Sequence, residues 1–302
     1  GPWQLYQADA TVPDGRRGVL DMGVTRELPL GNGLTIIKHI ASPEVHVDDE
    51  SKRIIMYFHG PVEYEGQLKG MQKTFVATSP WGLEFRPWVQ PVILAKSYLR
   101  VLNDRGILQG LTGGWHYTAP DPVTPWVTPR DFDYDGDVWQ KQRAYVLEFP
   151  ESGADAGAGS SHGLMNIRHL ALFRSGTTLY VFFTVIGHAP ERILATRIDL
   201  AQPDWMRHPP QEPPTEILRP ELTWEGADVA LAASKIGAQP KLENALRDPF
   251  IFQDEGRLYL FYAGGGERAI GLAELFPVSI PQPAVGVGPA DRPVPLSKEL
   301  EL

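Results

Sequence analysis

Short apolar runs, rich in β-branched and aromatic residues and closed by Gly, Asp or Pro, recur along the chain. Clear examples are residues 54–58 (IIMYF), 179–184 (LYVFFT) and 258–262 (LYLFY). Runs of this length that are apolar at consecutive positions predict strands buried on both faces. No stretch keeps a helical period, and at most residues 227–234 could form one short helix. With 30 Gly and 28 Pro interrupting the chain, the pattern predicts an all-β protein.

The runs group into a unit that occurs four times, in which a short strand, a polar turn and a strand ending near Tyr or Phe are followed by a third strand. These blade-like repeats cover residues 40–85, 92–118, 168–198 and 247–275. Small repeated sheets that bury both faces are typical of a β-propeller. A fifth blade could combine residues 3–38 with the stretch before Arg247.

We therefore predict one domain over residues 1–302, an all-β, five-bladed β-propeller with a central funnel and a Pro-rich C-terminal tail at residues 277–302. The alternative is a β-sandwich, whose strands usually alternate more cleanly between apolar and polar positions.

Composition narrows the classes of function. The 302 residues include 28 Lys and Arg against 37 Asp and Glu, a net charge of −9 with no basic run, which disfavours nucleic-acid binding. The absence of cysteine excludes disulfides, thiolate metal sites and a cysteine nucleophile. No apolar run reaches the roughly 18 residues of a membrane span. The eight histidines form no HExxH pattern, so no zinc site is expected. The compartment and the oligomeric state stay open.

Two motifs resemble a known superfamily. Residues 246–251 (LRDPFI) with 256–262 (GRLYLFY) resemble the RDP…GxxYLxY blade signature of the five-bladed β-propeller glycoside hydrolases, which include arabinanases, xylosidases, invertases and levansucrases. Residues 74–85 (TFVATSPWGLEF) resemble the AxSxDGxxF strand and turn of the same folds. The resemblance spans about residues 40–275. It implies a glycoside hydrolase with three carboxylates in its funnel: a base or nucleophile, a second Asp that orients or tunes, and a general-acid Glu.

The candidate catalytic carboxylates are Glu44, Glu225 and Asp248. Asp248 matches the family Asp of its blade, whereas Ser42 stands where the resemblance implies the base or nucleophile. Strand alternation places Glu44 on the same face as Ser42. A Glu between Trp and Gly, as Glu225 is, would have a raised pKa and could act as general acid. Each carboxylate could instead serve a structural ion pair or a solvated turn. Many relatives in the arabinanase-like branch invert, which favours inversion.

Further residues are candidates for substrate binding. Arg100, Arg168 and Arg247 recur at repeat starts, where they could bind an acidic sugar by bidentate contacts or could tether neighbouring blades. Rings can stack on sugar C–H faces, and Trp115 lies in a loop opened by glycines. The other candidates for substrate binding are Ser42, His46, His59, Tyr98, His116, His169 and Glu221.

The segment from Asp131 to Asp137 resembles half of a calcium loop. Asp131, Asp133 and Asp135 alternate and Gly136 follows, but the twelfth position holds Gln142 instead of Glu. A structural calcium ion or a solvated acidic turn are the two alternatives, and no cofactor is required for the predicted chemistry.

Three functions are compatible with these residues. The first is a glycoside hydrolase that cleaves a small or terminal glycosidic unit. The second is a glycoside phosphorylase or transglycosylase, motivated by the Arg and His residues at repeat starts. The third is a carbohydrate-binding propeller without catalysis, motivated by Ser42. In all three the partner is an oligosaccharide or glycoside, which could be acidic, and neither nucleic acid nor a membrane is expected.

Overall fold

The computed structural model describes residues 28–31, 34–36, 41–64, 67–82, 85–87, 95–113, 115–119, 147, 149, 165–203, 205–208, 212–237, 239 and 241–276. The chain divides into two compact units. Unit 1 holds residues 1–147 with 206–208, and unit 2 holds residues 148–205 with 209–302. The predicted calcium loop and the predicted C-terminal tail lie outside the described residues.

Within the residues that the structure describes, each unit contains two antiparallel sheets. Unit 1 holds the first two. The strands of the first are β1 (Leu28–Gly31), β2 (Leu34–Ile36), β3 (Ala41–Asp48), β4 (Arg53–Tyr64), β5 (Gln67–Ser79), β6 (Arg86–Pro87) and β7 (Ala95–Lys96). They run in the order β1-β2-β4-β5-β6, with β3 also paired to β4 and β7 to β5. The strands of the second sheet are β8 (Arg100–Asp104), β9 (Ile107–Thr112) and β10 (Trp115–Ala119), in sequence order. A core built from Tyr57, Val76, Leu99 and Val101 joins the two sheets.

Unit 2 also contains two antiparallel sheets. One is formed by β11 (Asn166–Ser175), β12 (Thr178–Ile186), β13 (Ile193–Asp199) and β14 (Thr215–Leu218), and the other by β15 (Leu246–Asp254), β16 (Arg257–Gly264) and β17 (Ala269–Leu275). Phe182, Ile193, Leu246 and Leu260 belong to the core that joins them. Short 3-10 turns span Trp205–Arg207 and Thr223–Glu225.

The predicted strands at residues 54–58, 179–184 and 258–262 are confirmed, since they lie in β4, β12 and β16. The four repeat ranges hold the antiparallel strands β3–β5, β8–β10, β11–β13 and β15–β17, and their identity as blades stays a prediction. The described residues are all-β, apart from short 3-10 turns. The short helix allowed at residues 227–234 does not form. The Asn244 side chain instead binds the carbonyls of Ala227 and Val229, which helical hydrogen bonds would need. The five blades and the single domain stay predictions.

The first strands of three repeats share an irregularity that positions the site. The pairing register shifts between Ala41 and Glu44 in β3, between Ile167 and Leu170 in β11, and between Arg247 and Phe250 in β15. An extra residue at such a bulge bends the strand and redirects its side chains. In these three repeats, therefore, the chemistry-bearing side chains Ser42, His169 and Asp248 emerge from bulges and not from regular pleats.

In the part of the chain that the structure describes, no helix has the length and apolarity needed to cross a membrane.

Candidate functional site

Asp248 occupies the bulge at the start of β15. Its φ of 47° lies in the left-handed region, which is strained for a residue with a Cβ atom. Pro249 follows it, and the Asp248 side chain is 32 % exposed. Non-glycine residues persist in this region only where the surrounding structure imposes it, and they cluster at active sites and ligand-binding sites. Asp248 is thus a carboxylate that the fold holds at the protein surface in a strained conformation.

His169, on β11, is the partner of Asp248. Its Nε2 atom lies 3.2 Å from Oδ1 of Asp248, and the side chain is buried. The backbone N–H of Asp248 donates to Nδ1 of His169 over 3.2 Å, and the Thr184 hydroxyl lies 3.4 Å from the same nitrogen. Because Nδ1 accepts a hydrogen bond, the proton of the neutral ring belongs on Nε2, the nitrogen that lies near the carboxylate. The imidazole therefore orients the Asp248 carboxylate.

A buried ion-pair cluster contains Arg168 and Arg247, the residues that directly precede His169 and Asp248 in sequence. Glu191, with no exposed surface, accepts hydrogen bonds from the guanidinium groups of both Arg168 and Arg247, each through an Nε donor at 2.9 Å. Arg247 also donates to Glu243 over 2.6 Å and to Glu267 over 3.2 Å. We call these five residues the Glu191 network. Burial opposes the charge of Arg247, but the three carboxylates around it raise its pKa above the ordinary value.

The network changes the interpretation of two predicted binding residues. The Nη1 group of Arg168 donates a further hydrogen bond to the backbone carbonyl of Lys235, over 3.0 Å. The donors of Arg168 and Arg247 are therefore directed at protein acceptors inside unit 2. The geometry does not support the prediction that these two arginines bind an acidic sugar, and it favours the alternative of a structural tether.

Glu225 is the last residue of the 3-10 turn Thr223–Glu225, and its side chain is buried in unit 2. One carboxylate oxygen accepts the backbone N–H groups of Glu221 and Leu222, at 2.8 and 3.0 Å, and the other accepts the Tyr262 hydroxyl at 2.6 Å. Burial and the negative charge of Glu225 raise the pKa of Tyr262. Glu225 itself has no exposed surface. A leaving group cannot reach this carboxyl group without local opening, so the geometry argues against a general acid here.

The residues that flank Glu225 also have packing roles. The Trp224 ring stacks on Tyr262, with centroids 6.0 Å apart. Gly226 has a φ of 86°, and a Cβ atom there would lie 2.0 Å from the carbonyl oxygen of Glu243. The Trp-Glu-Gly pattern therefore reflects a tight turn packed against β16. The sequence alone predicts an apolar catalytic environment for the same three residues.

We expect Gly226→Ala to destabilise the protein by about 3 kcal/mol, because the methyl group meets backbone and the left-handed φ is strained. Gly237→Ala is the matched control, since Gly237 has a φ of 95° but open space around its Cβ position. Urea unfolding of both variants measures the difference. Equal losses in the two variants would show that strain alone, and not the contact with Glu243, makes Gly226 necessary.

In unit 1, Ser42 occupies the position that corresponds to Asp248. It lies at the bulge of β3, has a φ of 45° and precedes Pro43. Arg100 is buried and donates from Nη1 to the backbone carbonyls of Ser42 and Leu99, at 3.2 and 3.1 Å. The predicted equivalence of residues 42 and 248 is thus matched by the same local conformation, with Ser in place of Asp. Arg100 supports the backbone of this bulge.

Glu44 links the two sheets of unit 1. Its Oε2 atom accepts the backbone N–H of Val101 over 2.9 Å and lies 3.3 Å from Nε2 of His46. Burial lowers the pKa of His46, but the adjacent Glu44 carboxylate outweighs it and the net shift is upward. Glu44 is buried. The hydrogen bond from Val101 to Glu44 therefore fixes β3 against β8.

The other predicted residues of unit 1 lie in ordinary packing environments. His59 is buried with its ring 4.4 Å from that of Tyr98, which itself has a φ of 63°. His116 pairs through Nε2 with Gln109 over 2.6 Å, and burial lowers the pKa of His116 to about 4. Trp115 packs, half-buried, against the unit 1 core.

The structure thus brings Asp248 and His169 together, and it separates Arg168, Arg247 and Glu225 from solvent. Glu221 contributes its backbone N–H to Glu225 and is exposed. Asp131, Asp133 and Asp135 lie outside the described residues. Sequence reasoning missed Glu191, which follows Ala189 and Pro190 in the connection between β12 and β13; only its position between two apolar segments could have drawn attention to it.

Comparison with known proteins gives one curated relative and several solved structures. No model of a known protein family matches the chain. A protein of Acanthamoeba polyphaga mimivirus, named "Uncharacterized protein R118", is 30 % identical over 243 residues, which are 78 % of this chain and 61 % of the relative. The chain therefore spans 61 % of the length of the curated relative that it matches.

The solved structures are glycoside hydrolases. An α-L-arabinofuranosidase from Lactobacillus brevis is 10 % identical, with a TM-score of 0.51 over 90 % of this chain and 81 % of that one. An α-L-arabinanase from Cellvibrio cellulosa complexed with arabinohexaose is also 10 % identical, with a TM-score of 0.47 over 79 % of this chain and 74 % of the arabinanase. The GH43_1 enzyme from Xanthomonas citri complexed with xylotriose is 15 % identical, with a TM-score of 0.44 over 81 % and 71 %.

The chain shares its fold with the L. brevis enzyme. At 10 % identity this likeness concerns the all-β fold of small antiparallel sheets and not the activity. The predicted membership of the glycoside hydrolase superfamily, including its invertase and levansucrase branches, stays a prediction.

Proposed function

We propose that the chain is a glycoside hydrolase built as a five-bladed β-propeller, with Asp248 as a catalytic carboxylate in its funnel and His169 as the residue that positions it. One observation carries the proposal. Asp248 is a strained, partly exposed carboxylate at a bulged strand start, oriented by a buried imidazole. Fold likeness to an arabinofuranosidase supports the choice of glycoside chemistry.

Glycoside hydrolysis requires a second carboxyl group on the other side of the scissile bond. Glu225 is too deeply buried to take this role in the described conformation. Glu44 stays the other candidate catalytic carboxylate from the sequence, and its side chain is also buried in the described conformation. Inversion is the outcome that we expect by analogy with the arabinanase-like branch.

Product release from a panel of oligosaccharides and aryl glycosides, including arabino- and xylo-configured substrates, tests the proposal. We expect turnover that is independent of added phosphate, and NMR of the first-formed anomer reports inversion or retention. Silence across the panel, despite sugar-dependent thermal shifts, would refute hydrolysis and favour binding.

Replacing His169 by leucine is expected to lower kcat about ten- to a hundredfold, because the carboxylate of Asp248 loses the donor that orients it. His169→Gln retains a donor at nearly the same position, and we expect it to recover most of the activity. Kinetics on the best substrate of the panel, with the pH profile of kcat/KM, measure both variants. A leucine variant as active as the glutamine variant would contradict the positioning role.

A non-catalytic carbohydrate-binding protein is the second candidate. Ser42 supports it, since the bulge that holds a carboxylate in β15 holds a hydroxyl in β3. Ser42→Asp distinguishes the two functions, because Asp tolerates the left-handed region better than most residues. Turnover by Ser42→Asp on a panel where the wild type is silent would identify a binding protein derived from an enzyme.

The phosphorylase alternative rested on arginines and histidines at repeat starts. Arg168 and Arg247 are committed to the Glu191 network, which weakens this motivation. Phosphate-dependent turnover in the same panel would restore it.

A further inference from the structure

A cavity of about 440 Å³ lies in unit 2, within the size range of small-molecule sites. Residues 229–237, 239 and 241–245, which we call the cavity loop, line it from both sides. Long loops without regular structure in a compact fold are usually functional.

Specific hydrogen bonds hold one wall of the cavity. The Ser234 hydroxyl accepts the backbone N–H of Gly187 over 3.0 Å, and the Ser234 N–H donates to the carbonyl of His188. One residue further, the Lys235 carbonyl accepts a hydrogen bond from Arg168. This wall is therefore anchored to the end of β12 and to the Glu191 network.

The other wall is also held by specific hydrogen bonds. The Glu243 N–H donates to the Gly265 carbonyl over 3.2 Å, and its carboxylate pairs with Arg247. Asn244 donates to the carbonyls of Ala227 and Val229. Both walls thus connect to arginines that are next in sequence to His169 and Asp248. A cavity held in this way is largely formed before a ligand arrives, which reduces the ordering cost of binding.

The charged side chains that line the cavity differ in whether they form an ion pair within the protein. Glu243 is paired with Arg247, which also contacts Glu191 and Glu267. Lys235 and Lys241 line the cavity with exposed side chains, and neither has an ion-pair partner among the residues that the structure describes. Ser234 and Gln239 add polar groups, and alanines form the apolar part. In a chain of net charge −9, this cavity thus presents two exposed lysines.

We infer that the cavity binds the anionic group of an acidic saccharide, a sugar that carries a carboxylate, sulfate or phosphate, between Lys235 and Lys241. The saccharide part of the inference rests on the proposed function. The positive charge comes from the cavity loop, and not from the arginines at the repeat starts, which are used internally.

Titration calorimetry with D-glucuronate and D-glucose 6-phosphate, with D-glucose as the neutral match, tests the inference. We expect wild type to bind at least one anionic sugar at least tenfold more tightly than D-glucose, about 1.4 kcal/mol. The Lys235→Ala/Lys241→Ala variant should lose this preference, and NaCl should weaken it because the lysines are exposed. Lys52→Ala, which removes an exposed lysine in unit 1, should have no effect.

Three results would overturn the inference: equal binding of D-glucose and the anionic sugars, an unchanged preference in the double lysine variant, or binding of inorganic phosphate as tight as that of D-glucose 6-phosphate. The last result would indicate an anion site without sugar recognition. Which of the two anionic sugars binds more tightly, D-glucuronate or D-glucose 6-phosphate, shows whether the site prefers a carboxylate or a phosphate group.

Asp248→Asn separates this inference from the proposed function. It leaves the lysines in place and should bind the anionic sugar as wild type does. If the wild-type protein bound the anionic sugar but turned over no glycoside, the hydrolase would be refuted and the cavity site kept. Turnover of neutral glycosides alone, unaffected by the lysine variants, would keep the hydrolase and refute the acidic substrate.

Discussion

Replacing Asp248 by asparagine is expected to lower kcat by about 10²–10⁴-fold, the range that removal of a positioned acid or base produces. The amide keeps the size of the side chain but cannot take up or release a proton. Asparagine also tolerates the left-handed backbone well, so the bulge at the start of β15 should persist. Steady-state kinetics on the best substrate of the glycoside panel measure the loss.

Asp254→Asn is the matched control for this variant. Asp254 ends the same strand and is exposed, so its replacement should leave kcat within about twofold of wild type. Thermal unfolding of both variants shows whether the fold is retained. A fully active, folded Asp248→Asn protein would remove Asp248 from the catalytic mechanism and, with it, the proposed site.

Replacing Glu191 by glutamine should lower the free energy of unfolding by about 3–5 kcal/mol, the loss observed when one partner of a buried ion pair is removed. Glu191 has no exposed surface and accepts hydrogen bonds from two arginines. Glutamine removes the negative charge that both buried guanidinium groups face. Urea unfolding at pH 7 measures the change.

Glu216→Gln provides the comparison within the same unit. Glu216 also pairs with two arginines, Arg192 and Arg219, but its side chain is about one third exposed. Solvent screening limits such pairs to about 1 kcal/mol or less. If Glu216→Gln cost as much as Glu191→Gln, burial would not be what makes the Glu191 network important.

The strands could be predicted because their signal is local. The apolar runs in β4, β12 and β16 are continuous, and a strand buried on both faces requires this composition wherever its neighbours lie. The repeat starts were also recognisable, since Ser42-Pro43 and Asp248-Pro249 share a pattern that the structure realises as the same left-handed bulge. The exposure of Asp248 and its pairing with His169 could not be predicted in this way, because the two residues are 79 positions apart in sequence.

The roles of charged residues required the folded structure. Arg247 and Glu225 lie in motifs that also suit ligand binding and proton donation, and their neighbours in sequence do not show which partners they have. Glu191 lies 56 positions from Arg247, and Tyr262 lies 37 positions from Glu225. Whether an ionised group meets substrate or is neutralised inside the protein depends on such distant partners, because they set both its desolvation and its hydrogen bonds.

By itself, therefore, the sequence determined an all-β chain of small repeated sheets, an acidic surface without cysteine, and strand starts at Ser42, Tyr98, Arg168 and Asp248 where chemistry could lie. Only the tertiary structure decided which of these residues face solvent, which are tied into the Glu191 network, and that the cavity loop presents two lysines. The apolar pattern of a strand is a property of consecutive residues, whereas the environment of a charge is set by residues that only folding brings together.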